Sequence, residues 1–419
     1  MAKFWRRGGI NDYGGRDFYK QARKVGPLGY EMDLLKYENV LAKGSFGLAF
    51  TVKCDIHGKV VMREMYIPPS AKDPNSTSHE YLRTAEFSNL SCLHFARHPN
   101  IIKMLGNAHH VADNVRHNFI LLECAPTDLR TVMDNCQFSE VHIKTMARAL
   151  LSGIRRIHQE KIIHRNIRPD AIYIDSKGII KISGFGYCYQ MNQNLQKVYL
   201  GGPQVYDRTP NQQGTLHYRA PELILGLEDH TQAVDIWSIG CIVGEVIVGH
   251  KLFEGENEKE QLLQIREDSE VFSEKDLELW KTYPRWTEFE KSVGRDSNSY
   301  GNVFQMKLSN PLTWNRSGVR FVKSLIAINP ETRPKANQTF GNTWFCRKKG
   351  EPRGRNLKDL LGQLNKNKFH NCDQQEVQDE WRDFEQDFKE AKDMGEVINM
   401  IQKVEMDEDD EDDDYMSQC

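Results

Sequence analysis

The chain has 419 residues, of which 39% are hydrophobic and 27% are charged, and its formal net charge is -3. These proportions are those of an ordinary soluble globular protein that is long enough for one large domain with extensions. The net charge argues neither for nor against nucleic acid, and we expect no nucleic-acid partner.

Nine cysteines are scattered without a C-x-x-C pair, and their number is odd. This pattern fits reduced thiols better than a disulfide framework. The sequence contains no apolar run of transmembrane length, no signal peptide and no lipidation motif, so we expect no membrane association. Together these features predict a cytoplasmic or nuclear protein.

Residues 1–36 contain Gly-Gly pairs, several charges and little periodicity, and we interpret them as a flexible basic arm. From Tyr37 the pattern changes to strand, glycine turn and strand, with Lys43-Gly-Ser-Phe-Gly at the turn. Such a loop lets backbone N–H groups close over phosphates, although a lone motif of this length is most often only a turn.

Further along the chain, two apolar runs, residues 172–174 and 179–182, flank an Asp-Ser-Lys-Gly turn and predict a small hairpin. Before it stands His164-Arg-Asn, and after it stands Ser183-Gly-Phe-Gly. This layout resembles the catalytic loop and the metal-binding loop of the protein kinases. In that family the first turn reads His-Arg-Asp, an Asn closes it five residues later, and the second turn reads Asp-Phe-Gly.

The resemblance implies that Asn166, Ala171 and Gly184 stand where kinases have their base and both magnesium ligands. It also implies that Arg63 replaces the lysine of the third strand, with a larger planar head. A neutral amide is not a base, and neither alanine nor glycine offers a side-chain oxygen to a metal ion. We therefore predict that none of these four degenerate positions supports ordinary catalysis and that no metal is bound.

The same resemblance implies a nucleotide cleft between a glycine loop and a hinge. The candidate nucleotide-binding positions are Leu41, Ala42, Gly44, Gly47, Ala49, Arg63, Glu123 and Ala125. The first loop glycine of the family is Ala42 here, and the valine that closes the loop is Ala49. Val61 and Tyr173 are bulkier than the usual residues above and below an adenine, which counts against nucleotide binding. No cofactor is expected to be required, and binding of ATP without magnesium stays open.

Residues 79–96 have the apolar spacing of a helix, which in kinases supplies a glutamate to the lysine. Counting back from His98 puts Asn89 at that position. Glu86 lies one turn earlier, and we interpret it as a solvated helix charge.

In the second half of the chain, residues 141–158 have the stripe of an amphipathic helix, and residues 233–248 are apolar nearly all round. The family resemblance implies that Glu222 pairs with Arg333 and that Asp235 caps the backbone of the His164 turn. The Tyr-Arg-Ala-Pro-Glu run that ends at Glu222 resembles the branch of cyclin-dependent and mitogen-activated kinases. The cyclin-binding signature Pro-Ser-Thr-Ala-Ile-Arg-Glu is absent, which argues against a cyclin partner.

The polar segment 187–214 precedes this run. Tyr206, Thr209 and Thr215 are its candidate phosphoacceptors, and Arg165 stands where many kinases receive a phosphate from this segment. We hypothesise that a phosphate there orders the segment, although plain surface hydroxyls are the simpler interpretation.

After residue 345 the kinase pattern stops. Residues 346–404 are interpreted as a basic linker and an amphipathic helical tail, in which Val377, Trp381, Phe384 and Phe388 form a stripe. Residues 405–419 are mostly acidic and are expected to be disordered.

Residues 37–345 are thus predicted to form an α+β, bilobal protein kinase-like domain, with a small, mainly β lobe (37–123) and a larger, mainly helical lobe (128–345). The favoured function is a pseudokinase, a catalytically impaired scaffold or allosteric regulator whose protein partner is an active kinase or its regulator. Two alternatives stay open: a divergent serine/threonine kinase with residual ATP-dependent phosphotransfer, and a nucleotide-binding switch that needs no magnesium.

Overall fold

The computed structural model describes residues 28–30, 35–44, 47–54, 57–64, 98–112, 115–190, 215–267, 273–293, 316–346 and 357–364. Within them the chain forms a lobe built on one β-sheet, followed by a larger lobe made mainly of helices. The predicted bilobal α+β architecture is confirmed.

The small lobe is a six-stranded sheet with the order β1-β5-β6-β4-β3-β2. Its strands are β1 (Leu28–Tyr30), β2 (Leu35–Gly44), β3 (Gly47–Cys54), β4 (Gly58–Glu64), β5 (Met104–Ala112) and β6 (Val115–Glu123). Side chains alternate across a strand, and Val60 and Met62 of β4 are buried in the core of the sheet. Val61 and Arg63 therefore share the opposite face of β4.

Strand β1 corrects the predicted boundary of the N-terminal arm. It lies within residues 1–36, yet it pairs in parallel with β5, with Leu28 opposite Gly106. Strand β2 also begins before the predicted Tyr37, at a fully buried Leu35. A three-residue strand is too short to show an alternating pattern, so the edge of β5 selects this pairing. The remaining described strands of the sheet pair antiparallel with their neighbours.

The larger lobe contains two small sheets and ten described α-helices. The sheets are β7 (Thr127–Asp128) with β9 (Ile172–Ile174) and β10 (Ile180–Ile182), and β8 (Ile162–Ile163) with β11 (Tyr189–Gln190). The helices are α1 (Leu129–Asn135), α2 (Glu140–Gln159), α3 (Pro221–Ile224), α4 (Ala233–Val248), α5 (Glu258–Glu267), α6 (Glu274–Lys281), α7 (Trp286–Val293), α8 (Arg316–Leu325), α9 (Ala336–Thr339) and α10 (Lys358–Leu361). Helices α2 and α4 confirm the two helices that the apolar patterns predicted, and α4 is buried along most of its length. None of the described helices combines the length and the hydrophobicity that a membrane span needs.

The C-terminal strap, residues 357–364, corrects a second prediction, because the sequence assigned it to a basic linker. Its four leucines, Leu357, Leu360, Leu361 and Leu364, are at most 9% exposed and join the main core. They follow the i, i+3, i+4, i+7 spacing of a one-sided helix, which is the signal that the linker interpretation missed. The stripe at Val377 and the acidic end at 405–419 lie outside the described residues.

Polar contacts hold the strap on the larger lobe, one of them from the backbone N–H of Gln137 to Oε1 of Gln363 at 3.2 Å. The backbone N–H of Leu357 donates to the carbonyl of Gly178 at 2.8 Å, in the turn between β9 and β10. The Sγ of Cys136 donates to the carbonyl of Leu360 at 3.5 Å. Nε2 of His142 lies 2.6 Å from the carboxylate of Asp359. Because a single helical turn is not stable alone, these contacts and the buried leucines must hold the strap in place.

Candidate functional site

Asp235 of α4 caps the backbone of the His164 turn. One carboxylate oxygen accepts the backbone N–H of His164 at 2.9 Å, and the other accepts that of Arg165 at 2.8 Å. His158 adds a third hydrogen bond at 2.8 Å. Burial alone would raise the pKa of Asp235, but these bonds outweigh it and hold the pKa below its usual range. The predicted cap is confirmed. It stabilises the backbone of Arg165 at φ +62°, a conformation that few residues other than glycine adopt.

His164 connects this turn to the Ser183-Gly-Phe-Gly turn. Its Nε2 lies 2.8 Å from the carbonyl of Ser183, and its Nδ1 accepts the backbone N–H of Asn166 at 3.3 Å. A carbonyl can only accept and an N–H can only donate, so the ring is neutral with its proton on Nε2. Burial lowers the pKa of His164, which agrees with the neutral form. The ring also meets the buried Phe185 edge-on, with centroids 5.0 Å apart.

The three degenerate positions of the two turns lie side by side. Gly184 adopts a left-handed conformation with φ +82°. A Cβ at this position would lie 3.1 Å from Cβ of Ala171 and 4.0 Å from Nδ2 of Asn166. The structure therefore brings together the residues that the resemblance implied, in one small space without a carboxylate among them.

These side chains do not fit a magnesium ion. Magnesium prefers oxygen ligands, carboxylates above all, and Ala171 and Gly184 present neither a carboxylate nor an amide. Asp170, the adjacent acid, is about half exposed and lies 3.7 Å from Arg168. In the part of the chain that the structure describes, no three His, Cys, Asp or Glu side chains cluster as metal ligands do.

The candidate nucleotide positions of the sheet form a row across three strands. Ala42 of β2 is paired with Ala49 of β3, and Ala49 is paired with Arg63 of β4. Gly44 and Gly47 pair with each other at the end of the β2–β3 hairpin. Leu41 precedes this row at an irregularity in β2, between Val40 and Ala42. The pairing brings these positions together on one hairpin and its neighbour.

The hinge positions are engaged with the larger lobe. The carboxylate of Glu123 lies 3.0 Å from Nζ of Lys181 on β10 and accepts the backbone N–H of Lys103 at 2.9 Å. The backbone N–H of Glu123 donates to the carbonyl of Lys103, also at 2.9 Å. Ala125 is buried. The contact with Lys181, which joins the hinge to the β9–β10 hairpin, has no signal in the sequence.

Arg63 of the small lobe and Tyr173 of the larger lobe interact electrostatically. Burial lowers the pKa of the Arg63 guanidinium, and the interaction with Tyr173 partly opposes this change. Burial likewise raises the pKa of Tyr173, and the charge of Arg63 partly offsets it. Val61 and Tyr173 both pack against the main core. The Nε and Nη2 atoms of Arg63 are themselves buried, so the charge of this residue is poorly hydrated.

Arg165, the hypothesised phosphate receptor, contacts the segment that follows Phe185. Its Nε donates to the carbonyl of Tyr187 at 2.7 Å, and its guanidinium lies 5.5 Å from the ring centre of Tyr189. Tyr206 and Thr209 lie outside the described residues, so the phosphate hypothesis stays a prediction. Asn89 and Glu86, in the predicted helix 79–96, also lie outside them.

The predicted pair of Glu222 and Arg333 is confirmed. Two parallel hydrogen bonds of 2.5 and 2.9 Å join the two side chains, which are at most 1% exposed. The Arg333 guanidinium also donates to the carbonyl of Ala327 at 2.6 Å and stacks over Trp237 at 4.9 Å. This network joins α3, which carries Glu222, to the last part of the larger lobe.

One polar network was missed by the sequence analysis. Arg130 of α1 donates to Glu245 of α4 at 2.8 Å and to the hydroxyl of Tyr218 at 2.6 Å, and that hydroxyl donates to Glu245 at 2.7 Å. No local pattern could reveal it, because the three residues are far apart in sequence. It ties the helix after the hinge to the central helix of the larger lobe.

The family model that is described as the protein kinase domain matches residues 35–345. The chain therefore belongs to the protein kinase domain family, as the turns at His164 and Ser183 predicted. The Asp235 cap and the Glu222–Arg333 pair described above lie within the matched region.

The relatives belong to the predicted branch. Cyclin-dependent kinase G-1 of Oryza sativa subsp. indica is 25% identical over 331 residues, which cover 78% of this chain and 44% of that protein. Extracellular signal-regulated kinase 2 of Dictyostelium discoideum is 26% identical over 313 residues, which cover 74% of this chain and 79% of that protein. Cyclin-dependent kinase 11B of Mus musculus is 33% identical over 190 residues, which cover 45% of this chain and 22% of that protein. The chain thus spans less than half the length of the rice and mouse relatives.

Proposed function

We propose that the protein is a pseudokinase that works by binding other proteins rather than by transferring phosphate. The observation that carries the proposal is the convergence of Asn166, Ala171 and Gly184 in one place, within a framework that is otherwise intact. The two turns meet, but Asn166, Ala171 and Gly184 do not offer the side chains that the family uses to accept a proton and to bind metal.

The magnitude of the expected loss supports this proposal. Phosphoryl transfer depends on positioning and on charge stabilisation, since the protein contributes little covalent chemistry. Removing one stabilising group from such a site typically lowers kcat by about 10²–10³. Here the base and both metal ligands are replaced, and these groups serve separate roles. Asp170 is the nearby acid, and its position beside Arg168 on the protein surface favours neither role.

The architecture of the domain does not depend on catalysis. Asp235, Phe185 and the Glu222–Arg333 pair all stabilise the fold, and none of them requires a nucleotide. A rigid bilobal body supplies protein-binding surfaces whether or not it catalyses. We propose an active kinase or its regulator as the partner, in an intracellular compartment that keeps thiols reduced. The names of the rice and mouse relatives denote dependence on cyclins, whereas that of the Dictyostelium discoideum relative does not. We favour a different protein partner because the cyclin-binding signature is absent.

The first test is the melting temperature of the purified chain with ATP, in the presence of either magnesium or a chelator. A ligand that binds only the folded state raises the melting temperature by mass action. We expect no rise that depends on magnesium, and no phosphate transfer to the chain or to a general protein substrate. A magnesium-dependent rise accompanied by transfer would contradict the proposal and favour a divergent kinase.

A matched variant restores the family residues: Asn166→Asp, Ala171→Asn and Gly184→Asp together. If the triple variant gains magnesium-dependent binding that the natural chain lacks, the three positions are the cause of its absence. For the binding role, we expect the natural chain to elute from gel filtration of its native extract in a stoichiometric protein complex. The same complex should form with Asn166→Asp, because binding does not use the degenerate site. A chain that elutes alone contradicts the scaffold role.

A further inference from the structure

The cleft between the lobes is closed by side chains that approach it from both sides. On the small lobe, Val60 and Met62 are buried in the sheet, so Val61 and Arg63 point to the other face of β4. On the larger lobe, Ile172 and Ile174 of β9 are fully buried, so Tyr173 lies on the other face of the strand. Lys181 is paired with Tyr173 and shares this face, and its Nζ lies 3.0 Å from the carboxylate of Glu123 in the hinge. The face that carries Tyr173 is therefore turned toward the small lobe, and an electrostatic interaction between Arg63 and Tyr173 agrees with this placement.

Tyr173 is held firmly in this position. It is paired with Asp128 of β7 on one side and with Lys181 of β10 on the other, so β9 is the central strand of its sheet. Lys181 in turn binds Glu123 of the hinge at 3.0 Å. A tyrosine ring on a strand that is fixed at both edges and tied to the hinge has little freedom to leave the cleft.

The position of Val61, on the small-lobe side of the cleft, is also fixed by strand pairing. Val61 is paired with Leu122 of β6, which is buried directly before the hinge. Its branched side chain packs against the same hydrophobic core as Tyr173. A tyrosine side chain buries roughly 150–250 Å² on packing, which is an area comparable to the two faces of a flat heterocycle.

We propose that Tyr173 is a built-in occupant of the interlobe cleft, where its ring takes the space of a purine base. The inference rests on the proposed function, because it concerns the same cleft, but it gives a separate cause for the exclusion of nucleotide. Loss of catalysis follows from Asn166, Ala171 and Gly184, whereas exclusion of nucleotide follows from Tyr173. One substitution should therefore restore nucleotide binding without restoring phosphotransfer.

The variant Tyr173→Leu keeps an apolar residue on β9 and removes the ring. Its probe is 2′,3′-O-trinitrophenyl-ATP, whose fluorescence is titrated against the full chain in the presence of EDTA. We expect at least a tenfold lower Kd for Tyr173→Leu than for the natural chain. We expect Tyr173→Phe to bind as weakly as the natural chain, because the ring remains. Tyr283→Leu, which removes a buried tyrosine elsewhere in the larger lobe, controls for general loosening and should gain no affinity.

Two outcomes overturn the inference. One is tight binding of the probe by the natural chain, and the other is a folded Tyr173→Leu, with a cooperative melt, whose Kd is unchanged. If Tyr173→Leu fails to fold, ¹⁹F spectra of the natural chain labelled with 3-fluorotyrosine provide the test, with the Tyr173 resonance assigned by its absence in Tyr173→Phe. We expect that resonance to resist broadening by a soluble gadolinium chelate, and strong broadening would contradict the inference. Phosphotransfer is measured on the same samples, and its appearance in the natural chain would contradict the proposed function instead.

Discussion

A Cβ placed on Gly184 would lie 3.1 Å from Cβ of Ala171, which is closer than ordinary van der Waals contact. Gly184 also has φ +82°, where an L-residue costs about 1–2 kcal/mol. We therefore expect Gly184→Ala to lower the free energy of unfolding by more than the left-handed conformation alone accounts for. The measurement is urea-induced unfolding at neutral pH.

Gly249 provides the matched control for this prediction. It ends α4 with φ +85°, and a Cβ there would meet nothing within 4 Å. Gly249→Ala should thus show the cost of the backbone conformation without the crowding. Equal losses for the two variants would mean that the contact between Ala171 and position 184 has no energetic weight.

The buried ion pair of Glu222 and Arg333 makes a second prediction. Removing one partner leaves the other charge buried, which typically costs about 3–5 kcal/mol. We expect Arg333→Met to lose this amount in a chemical unfolding experiment, and the double variant Arg333→Met with Glu222→Leu to recover part of it. Lys281→Met, which breaks the surface pair between Lys281 and Glu278, should leave the unfolding curve unchanged. If the single and double variants lose the same stability, the buried charge is not the cause.

The C-terminal strap makes a third prediction. Leu360 is fully buried, and truncating a buried leucine to alanine typically costs about 2–5 kcal/mol. We expect Leu360→Ala to lower the stability by this amount and to speed hydrogen exchange at the N–H of Leu357. Asp359→Ala removes a mostly exposed carboxylate and should cost no more than about 1 kcal/mol. A stable Leu360→Ala domain would show that the strap is not part of the cooperative unit.

The dependence of stability on pH is a fourth prediction. Burial lowers the pKa of His164 in the folded state, so between that pKa and the unfolded value of about 6.5 the unfolded chain binds more protons. Stability is therefore full above about pH 6.5 and is lost as the pH falls below it. Asp235, whose pKa is also lowered, adds a second loss that begins near the unfolded value of about 3.9.

Melting temperatures recorded from pH 8 to pH 4 test this fourth prediction. His164→Phe should reduce the slope below about pH 6.5, without abolishing it, because burial lowers the pKa of His230 as well. A natural chain whose melting temperature rises as the pH falls from 7 to 5 would contradict the assigned neutral form of His164.

The features that could be predicted from the sequence are those that a short motif carries. Asp235 and the pair of Glu222 and Arg333 were placed correctly, because each lies in a run whose neighbours identify its position. The side-by-side arrangement of Asn166, Ala171 and Gly184 followed from the same two turns.

Long-range pairing accounts for what the sequence could not reveal. Strand β1 forms because it pairs with the edge of β5, and three residues are too few to show an alternating hydrophobic pattern. The network of Arg130, Tyr218 and Glu245 joins residues up to 115 positions apart. The strap could have been predicted, because the spacing of its leucines is that of a one-sided helix. The basic residues before it favoured a linker interpretation instead. The electrostatic interaction of Arg63 with Tyr173 joins residues of different lobes, which no local signal describes.

Residues 28–30 and 357–364 attach the two ends of the described chain to different lobes. Strand β1 is held along the edge of the small-lobe sheet, while the strap is held against the turn at Gly178. A load applied between these two attachments acts across the hinge rather than within either lobe. The turn at Gly178 belongs to the hairpin that carries Tyr173 and, through Lys181, binds Glu123. Tension on this molecule would therefore be transmitted to the β9–β10 hairpin and, through Lys181 and Glu123, to the hinge between the lobes.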